Sequence, residues 1–514
     1  MDDCDVFVVG AGPTGLVLAL LLVRLGARVR IIDKAATPGQ TSRAIGVQAR
    51  TLEQYRFAGL ARDVIDGGFP AKGVNLWVKG ERRGRLELEE IGKGLTPFPY
   101  LLIYAQDEHE KFLISCLARA GIRVERPAEL VALRTSGEGV RARVRRAGGA
   151  TEECNARYLV GCDGARSFAR EALRVGYPGG TYSHLFYVAD IEGAGPTMND
   201  EVHFALEDDS NFLACIALRP GHARLIGTVR DETGRKNDEL GWEDVSKRAI
   251  QRLRLEISRM NWFSTYRVHH RVASDFRVGR VFLVGDAAHI HSPVGAQGMN
   301  TGIGDAMNLA WKLAAVLRGH ADAHLLDTYE RERMPFAKRL VRSTDRAFEL
   351  LSADGPIANR VRVGLAPQLL TSLFQSERAR RFLFRTVSQI NIRYRNSWLS
   401  EGRAGKIQGG DRLPWLSPDG SADNFEPLSS LGWQVHVCGV PDDYLGKACS
   451  ARHLPLHAFP WNEKAATAGF ARDAAYLVRP DGYVALAAPA LHAAEELGQY
   501  LATRNIRVGE RGTL

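Results

Sequence analysis

Residues 5–33 constrain the fold more than any other stretch. DVFVV (5–9) is a short apolar run, GAGPTG (10–15) follows it directly, and 16–25 is an apolar helical segment closed by Gly26. A second strand, 28–32, ends at Asp33. A strand that runs through closely spaced glycines into a helix gathers free N–H groups and a positive helix end at one point. Gly10 makes the turn, Gly12 admits a pyrophosphate, and Gly15 lets helix and strand pack closely. Asp33 stands 18 residues beyond Gly15, where it can accept hydrogen bonds from a ribose diol. The pattern predicts a Rossmann-like βαβ unit that binds a dinucleotide.

Two further stretches have the same grammar. From Gly279 to Leu317, the apolar run Val281–Val284 ends at Gly285, Asp286 follows, and Gly295, Gly298, Gly302 and Gly304 let the backbone approach a bound group. The helix after them carries Ala306, Leu309, Ala310, Leu313, Val316 and Leu317 at helical spacing. A carboxylate at a strand end beside such a cradle suits a polyol joined to an electron-rich ring. The third stretch, Tyr158-Leu159-Val160 into GCDGARS (161–167) with Arg170 beyond, is again a strand end, an Asp-Gly turn and a helix start.

Around these motifs the chain divides. Residues 1–175 form the first part of the nucleotide-binding domain. Within it, Gln106 opens a helix with acidic residues in its first turn and Gly121 at its end. Arg43 is either a guanidinium facing phosphate or flavin, or a surface arginine. Residues 176–275 contain successive alternating segments broken by Gly, Pro, Asp and Asn, which predict an inserted mixed sheet for an apolar, planar ligand. Residues 276–400 return to the nucleotide domain and add long helices, with Pro335 interrupting or kinking one of them. The Gly- and Pro-rich segment 402–424 predicts a linker into a small α/β domain, so that 401–514 is a unit of its own. The fold class is α/β.

The net charge of +9 comes mainly from scattered arginines, and no nucleic-acid motif accompanies it, so no nucleic-acid partner is expected. Seven widely spaced cysteines contain no CxxC, which argues against a zinc site or a disulfide scaffold and fits a reducing cytoplasm. The segment 16–25 is too short to span a bilayer. His289 and His291 have no neighbouring set to complete a metal site, so no metal is expected.

GAGPTG, GCDGARSFAR and GDAAHIHSPVGAQGMN, in that order, resemble the single-component FAD-dependent aromatic hydroxylases, the group of p-hydroxybenzoate hydroxylase and phenol hydroxylase. The trailing LVRPDGYVAL resembles the redox-inactive thioredoxin-like tail of the subgroup that acts on phenols and aromatic polyketides. The resemblance implies that FAD lies extended along Gly10, Gly12, Pro13, Thr14, Gly15, Asp33 and Lys34. Arg43 and Gln106 occupy family FAD-contact positions. Gly285 and Asp286 would meet the ribityl or pyrophosphate region, and the loop with Pro293, Gly295, Gly298, Met299 and Asn300 would flank the isoalloxazine, where Pro293, Gly295 and Gly298 are the candidate catalytic positions. Asp163, Gly164 and Arg166 match the motif linked with both FAD and NAD(P)H.

The implied chemistry is reduction of FAD by NADPH or NADH, uptake of O₂ as a flavin C4a-hydroperoxide, and transfer of one oxygen to a phenolic or polycyclic aromatic ring. Alternatives are a Baeyer–Villiger or epoxidising oxygenase on the same scaffold, and a flavin-free binding or regulatory protein. His203, His222, His269 and Tyr266 are candidates for a phenol-deprotonating base. The expected partner is a small aromatic substrate, and the chain is expected to be a monomer or homodimer.

Overall fold

The computed structural model describes residues 3–39, 44–207, 212–229, 240–292, 295–352, 375–416 and 423–508, with the side chains of 183–184 and 346–352 left aside. β1 (Cys4–Val9), α1 (Pro13–Arg24) and β2 (Val29–Ile32) form the expected opening unit. β1 pairs in parallel with β2 on one side and with β3 (Thr151–Gly161) on the other, and β3 pairs in parallel with β4 (Val281–Leu283). The registers Val8↔Ile31, Val8↔Val160 and Val160↔Phe282 bring the three motif strands to a common level. Gly10, Cys162 and Gly285 therefore emerge side by side at the carboxyl ends of neighbouring parallel strands, where open α/β sheets hold ligands. The strands are apolar on both faces because α1 covers one of them and α2 (Gly298–Leu317) packs against α1.

The inserted sheet is larger than 176–275. Its eight strands run in the order His289–Ile290, Glu256–Val272, Gly179–Ala194, His222–Val229, Phe212–Arg219, Glu201–Leu206, Gly73–Val78 and Glu81–Glu87. The last two come from the first part of the chain, and 73–78 joins in parallel with 201–206. Short alternating segments show that a strand exists but not which sheet it completes.

α3 (Asp327–Ser352) runs through Pro335 without a break. Proline removes the bond to the carbonyl of Arg331, and Arg331 is exposed, so solvent can satisfy that oxygen. The linker expected over 402–424 is partly sheet. Glu401–Ala404 and Ile407–Gln408 form a hairpin whose first strand pairs in parallel with Val484–Ala488. Gly402, at φ +74°, makes this possible: a Cβ there would lie 2.4 Å from the carbonyl oxygen of Ala487. The C-terminal unit continues as a parallel βαβ (Gln434–Cys438, Asp443–Ser450, Leu456–Phe459), an antiparallel pair (Ala475–Val478, Val484–Ala488) and a closing helix, Ala493–Thr503.

All seven cysteines are free and buried. Burial pushes the Cys438 and Cys449 thiols up to about 12 and about 11, the inert end of thiol behaviour. Among the described residues no helix is long and apolar enough to cross a membrane, and no cluster of His, Cys, Asp or Glu could hold a metal ion.

Candidate active site

One cavity of about 1190 Å³ joins the motif strands to the inserted sheet. Single-ligand pockets are usually 300–1,000 Å³, so this volume has room for a cofactor ring and a second flat molecule together. Its nucleotide side is made by Gly12, Pro13, Thr14, Gln106, Gly164, Asp286, Gly295, Gly298 and Met299. Its far side is one face of the eight-stranded sheet, bearing Val202, Phe204, Ala214, Ile216, Ile226, Trp262, Ser264 and Tyr266. Every one of these is at an even-numbered position, because side chains of a strand alternate between faces. The odd positions, Tyr187, Ala205, Leu213, Cys215 and Leu225, form a separate core on the other face.

The cradle itself is rigidly built. Gly10 sits at φ +102°, and a Cβ there would lie 2.3 Å from the oxygen of Cys162. A Cβ on Gly15 would lie 2.0 Å from the oxygen of Gly10. Gly12 differs, since a Cβ there meets nothing within 4 Å and would project into open space. The Gly10 and Gly15 positions are demanded by the fold, while Gly12 borders open space on the cavity wall.

The N-terminus of α2 is held by buried side chains. Asn300 donates to Gly46 O and Ala296 O, each at 2.8 Å, and accepts from Gln48 N and Thr51 Oγ1, each at 2.8 Å. Its four hydrogen bonds are all used within the protein. Asp305 accepts from Gly285 N (3.1 Å) and His289 Nε2 (2.7 Å) on one oxygen and from Arg333 Nε (2.5 Å) on the other. Burial opposes its ionisation, but Arg333 and His289 hold its carboxyl below the ordinary carboxylate range. Asp305 thereby pins the Gly285–Asp286 turn to α2. Ala296, at φ +53°, adds a strained step just before the helix. Gly298 and Met299, in the first turn of α2, line the cavity, so the positive end of the helix dipole lies beside it.

Several predicted positions do not line the cavity. Gly10, Gly15, Gly285 and Asn300 lie behind its wall. Asp33 accepts from Ala11 N and Ala35 N, each at 2.8 Å, and pairs with Arg126 at 3.1 Å, while Lys34 is exposed. Asp163 accepts from Ala169 N at 3.1 Å and so caps the helix Phe168–Ala172. Its carboxyl is raised by burial. Arg166 is exposed. Arg43 and Pro293 fall outside the described residues.

Of the base candidates, Tyr266 and His269 are on the cavity wall, His269 bonding Thr181 Oγ1 at 2.7 Å. His203 is buried between Trp77 and Asn199 on the odd face, and His222 closes a sheet turn. His291, which the sequence set beside His289 without a metal role, is a cavity residue. Its Nδ1 donates to Ser292 O at 2.8 Å, since a carbonyl can only accept, which leaves Nε2 as an acceptor. Nε2 is buried and has no partner among the described residues. Burial lowers the ring to about 4, so it is neutral at pH 7. The helix Glu377–Val387, which closes the cavity with Leu383, Phe384 and Val387, was expected only as one of the helices of 276–400. The spacing of its apolar residues was the available signal.

The cavity fits FAD: it offers a glycine turn with space kept open at Gly12, a carboxylate at a strand end, and a helix N-terminus facing a wide apolar chamber. The FAD binding domain family matches residues 3–344. The chain is 37% identical over 363 residues to 6-methylpretetramide 4-monooxygenase of Streptomyces rimosus, a match that covers 70% of this chain and 64%, less than two thirds, of that relative. Among solved structures it superposes on the anhydrotetracycline hydroxylase of Streptomyces rimosus with TM-score 0.79 at 28% identity, covering 98% of this chain and 99% of the other. The ternary complex of aklavinone-11 hydroxylase with FAD and aklavinone gives TM-score 0.78 at 26% identity over 98% and 99%. Matched through its nucleotide-binding motifs and superposed over nearly its whole length, the chain belongs to the family of FAD-dependent aromatic hydroxylases.

Proposed function

We propose that the protein is an NAD(P)H- and O₂-consuming monooxygenase that hydroxylates a phenolic or polycyclic aromatic compound. The observation that carries this reading is the single cavity in which the glycine turn, Asp286 and the α2 N-terminus open onto an apolar sheet face. The balance is one ring C–H converted to C–OH, with the second oxygen atom leaving as water and NAD(P)H giving up its hydride. Bound FAD supplies the redox step, accepting the hydride and activating oxygen.

The chain's own residues bind, orient and shield. The Gly12 turn and Gln106 take the nucleotide portion, and Asp286 accepts from the polyol. The N–H groups of Gly298 and Met299 would stabilise negative charge on a flavin ring bound beside them. Phe204, Ile216, Phe384 and Val387 keep water from the reacting atoms. His291 Nε2, neutral and unpartnered, is an acceptor for a substrate hydroxyl. Relatives named for 6-methylpretetramide, anhydrotetracycline and aklavinone support the polycyclic end of the substrate range. The test is NAD(P)H oxidation by the FAD-loaded protein across a panel of phenols and polycyclic quinones. Consumption stimulated by a compound that returns heavier by one oxygen atom supports the reading. A colourless protein that takes up no FAD overturns it.

A further inference from the structure

The helix Glu377–Val387 has two roles on its surface. Leu383, Phe384 and Val387 turn toward the cavity. Leu383 is also 37% exposed, so it stands where the cavity meets solvent, and Phe382 beside it is 65% exposed. Arg381 and Arg385 lie one turn apart next to this pair.

Among the described residues positive charge gathers here with few carboxylates: Arg385 pairs with none, and Arg381 reaches Glu377 at 3.4 Å on its own helix. Arg393 is 3.6 Å from Asp411, whose two oxygens are already held by Arg395 at 2.7 and 2.8 Å. Arg412 is committed to Glu53, which Arg50 also contacts. Burial, and then the positive charges of Arg381, Arg393 and Arg412, hold the Arg385 guanidinium below its ordinary range. Guanidinium groups so crowded favour an anion with several oxygens, and phosphate matches their donor geometry best. An exposed phenyl ring beside them offers a stacking face for a base.

The geometry points to a docking site for the diphosphate of a nicotinamide dinucleotide, built by Arg381, Arg385 and Arg393, with Phe382 beside its adenine and Leu383 marking where the nicotinamide enters. This inference rests on the NAD(P)H reading above and adds to it a place of binding. None of the three arginines lines the cavity that the Gly12 turn lines, which leaves that turn to FAD. Proximity to the cavity mouth lets the reductant approach the flavin from the side of the substrate chamber, so that it can leave before oxygen transfer.

The test uses the FAD-loaded full chain and two probes: ADP-ribose binding by calorimetry, and the steady-state KM for NADH and NADPH. Arg381→Ala/Arg385→Ala should weaken ADP-ribose binding about tenfold or more and raise the NAD(P)H KM by a similar factor. The kcat at saturating NAD(P)H and the KM of the aromatic substrate should hold. Arg385→Lys, which keeps the charge but loses the fork, should fall between. Comparing ADP-ribose with its 2′-phosphate shows which dinucleotide the arginines prefer. Unchanged ADP-ribose binding in a folded double variant overturns the site, and so does a rise confined to the aromatic substrate's KM, which would make the patch a substrate anchor. Failure of the wild-type protein to oxidise NAD(P)H overturns the oxygenase reading instead, while ADP-ribose binding reports on the arginines independently.

Discussion

Arg479 donates to both carboxylate oxygens of Glu332, at 2.7 and 3.0 Å, and both side chains are fully buried. Arg479 lies in the turn between two strands of the C-terminal sheet, and Glu332 lies on α3. Glu332 also accepts from Asn308 (2.6 Å) and Lys312 (2.8 Å) of α2, and Arg479 returns to Asp481. The C-terminal unit thus plugs a charged turn into the helices of the flavin domain. Breaking a buried pair leaves an uncompensated charge, so Arg479→Met should cost about 3–5 kcal/mol. Urea unfolding followed by circular dichroism measures this, and a loss below about 1 kcal/mol would contradict the plug.

Gly12→Ala and Gly15→Ala should separate ligand space from fold space. Alanine at Gly15 drives a Cβ to 2.0 Å from a backbone oxygen and should prevent stable folding. Alanine at Gly12 meets no protein atom within 4 Å and should leave the apoprotein's melting temperature unchanged while weakening FAD binding. Equal destabilisation of both apoproteins would refute the distinction.

Among the described residues His291→Leu removes one protein hydrogen bond, to Ser292 O, because Nε2 has no partner among them. Stability should change by about 1 kcal/mol or less. The variant should bind FAD as before but raise the substrate KM or uncouple NAD(P)H oxidation from product formation. A variant with unaltered coupling and KM would exclude His291 from substrate contact.

Buried neutral histidines predict acid sensitivity. Burial lowers His109 and His436 to about 3 and His203 to about 4. The unfolded chain gains a proton at each below about 6.5, and the folded chain does not, so stability falls as pH drops from about 6.5 toward 4. At pH 5 each contributes a loss of up to about 2 kcal/mol. Urea midpoints at pH 7 and 5 test this, and His109→Gln should flatten the slope. An equal slope in that variant would remove His109 from the account.

The three glycine-bearing strand ends were legible in the sequence because each is local, with a strand, turn and helix specified by neighbouring residues. The strands at 202–206 and 213–218 were legible too, as the short apolar runs VHFAL and LACIAL, but runs with almost no polar residue do not say which side chains face the cavity. The contacts of Asp163 were not legible: one of its oxygens accepts from Ala169 N, while Oδ1 is buried with no partner among the described residues. The sheet completed by the strands at 73–78 and 81–87 was not legible either, because it depends on a pairing with residues 201–206, far along the chain.

The sequence by itself determined that the chain makes a discontinuous nucleotide-binding domain with an inserted sheet, because backbone turns and side-chain periods are written residue by residue. Only the tertiary structure decided which side chains meet in the cavity. The unpartnered Nε2 of His291, the crowding around Arg385 and the Arg479–Glu332 pair each join residues separated along the chain or set by burial. Burial and long-range proximity are properties of the packed molecule, and no local pattern encodes them.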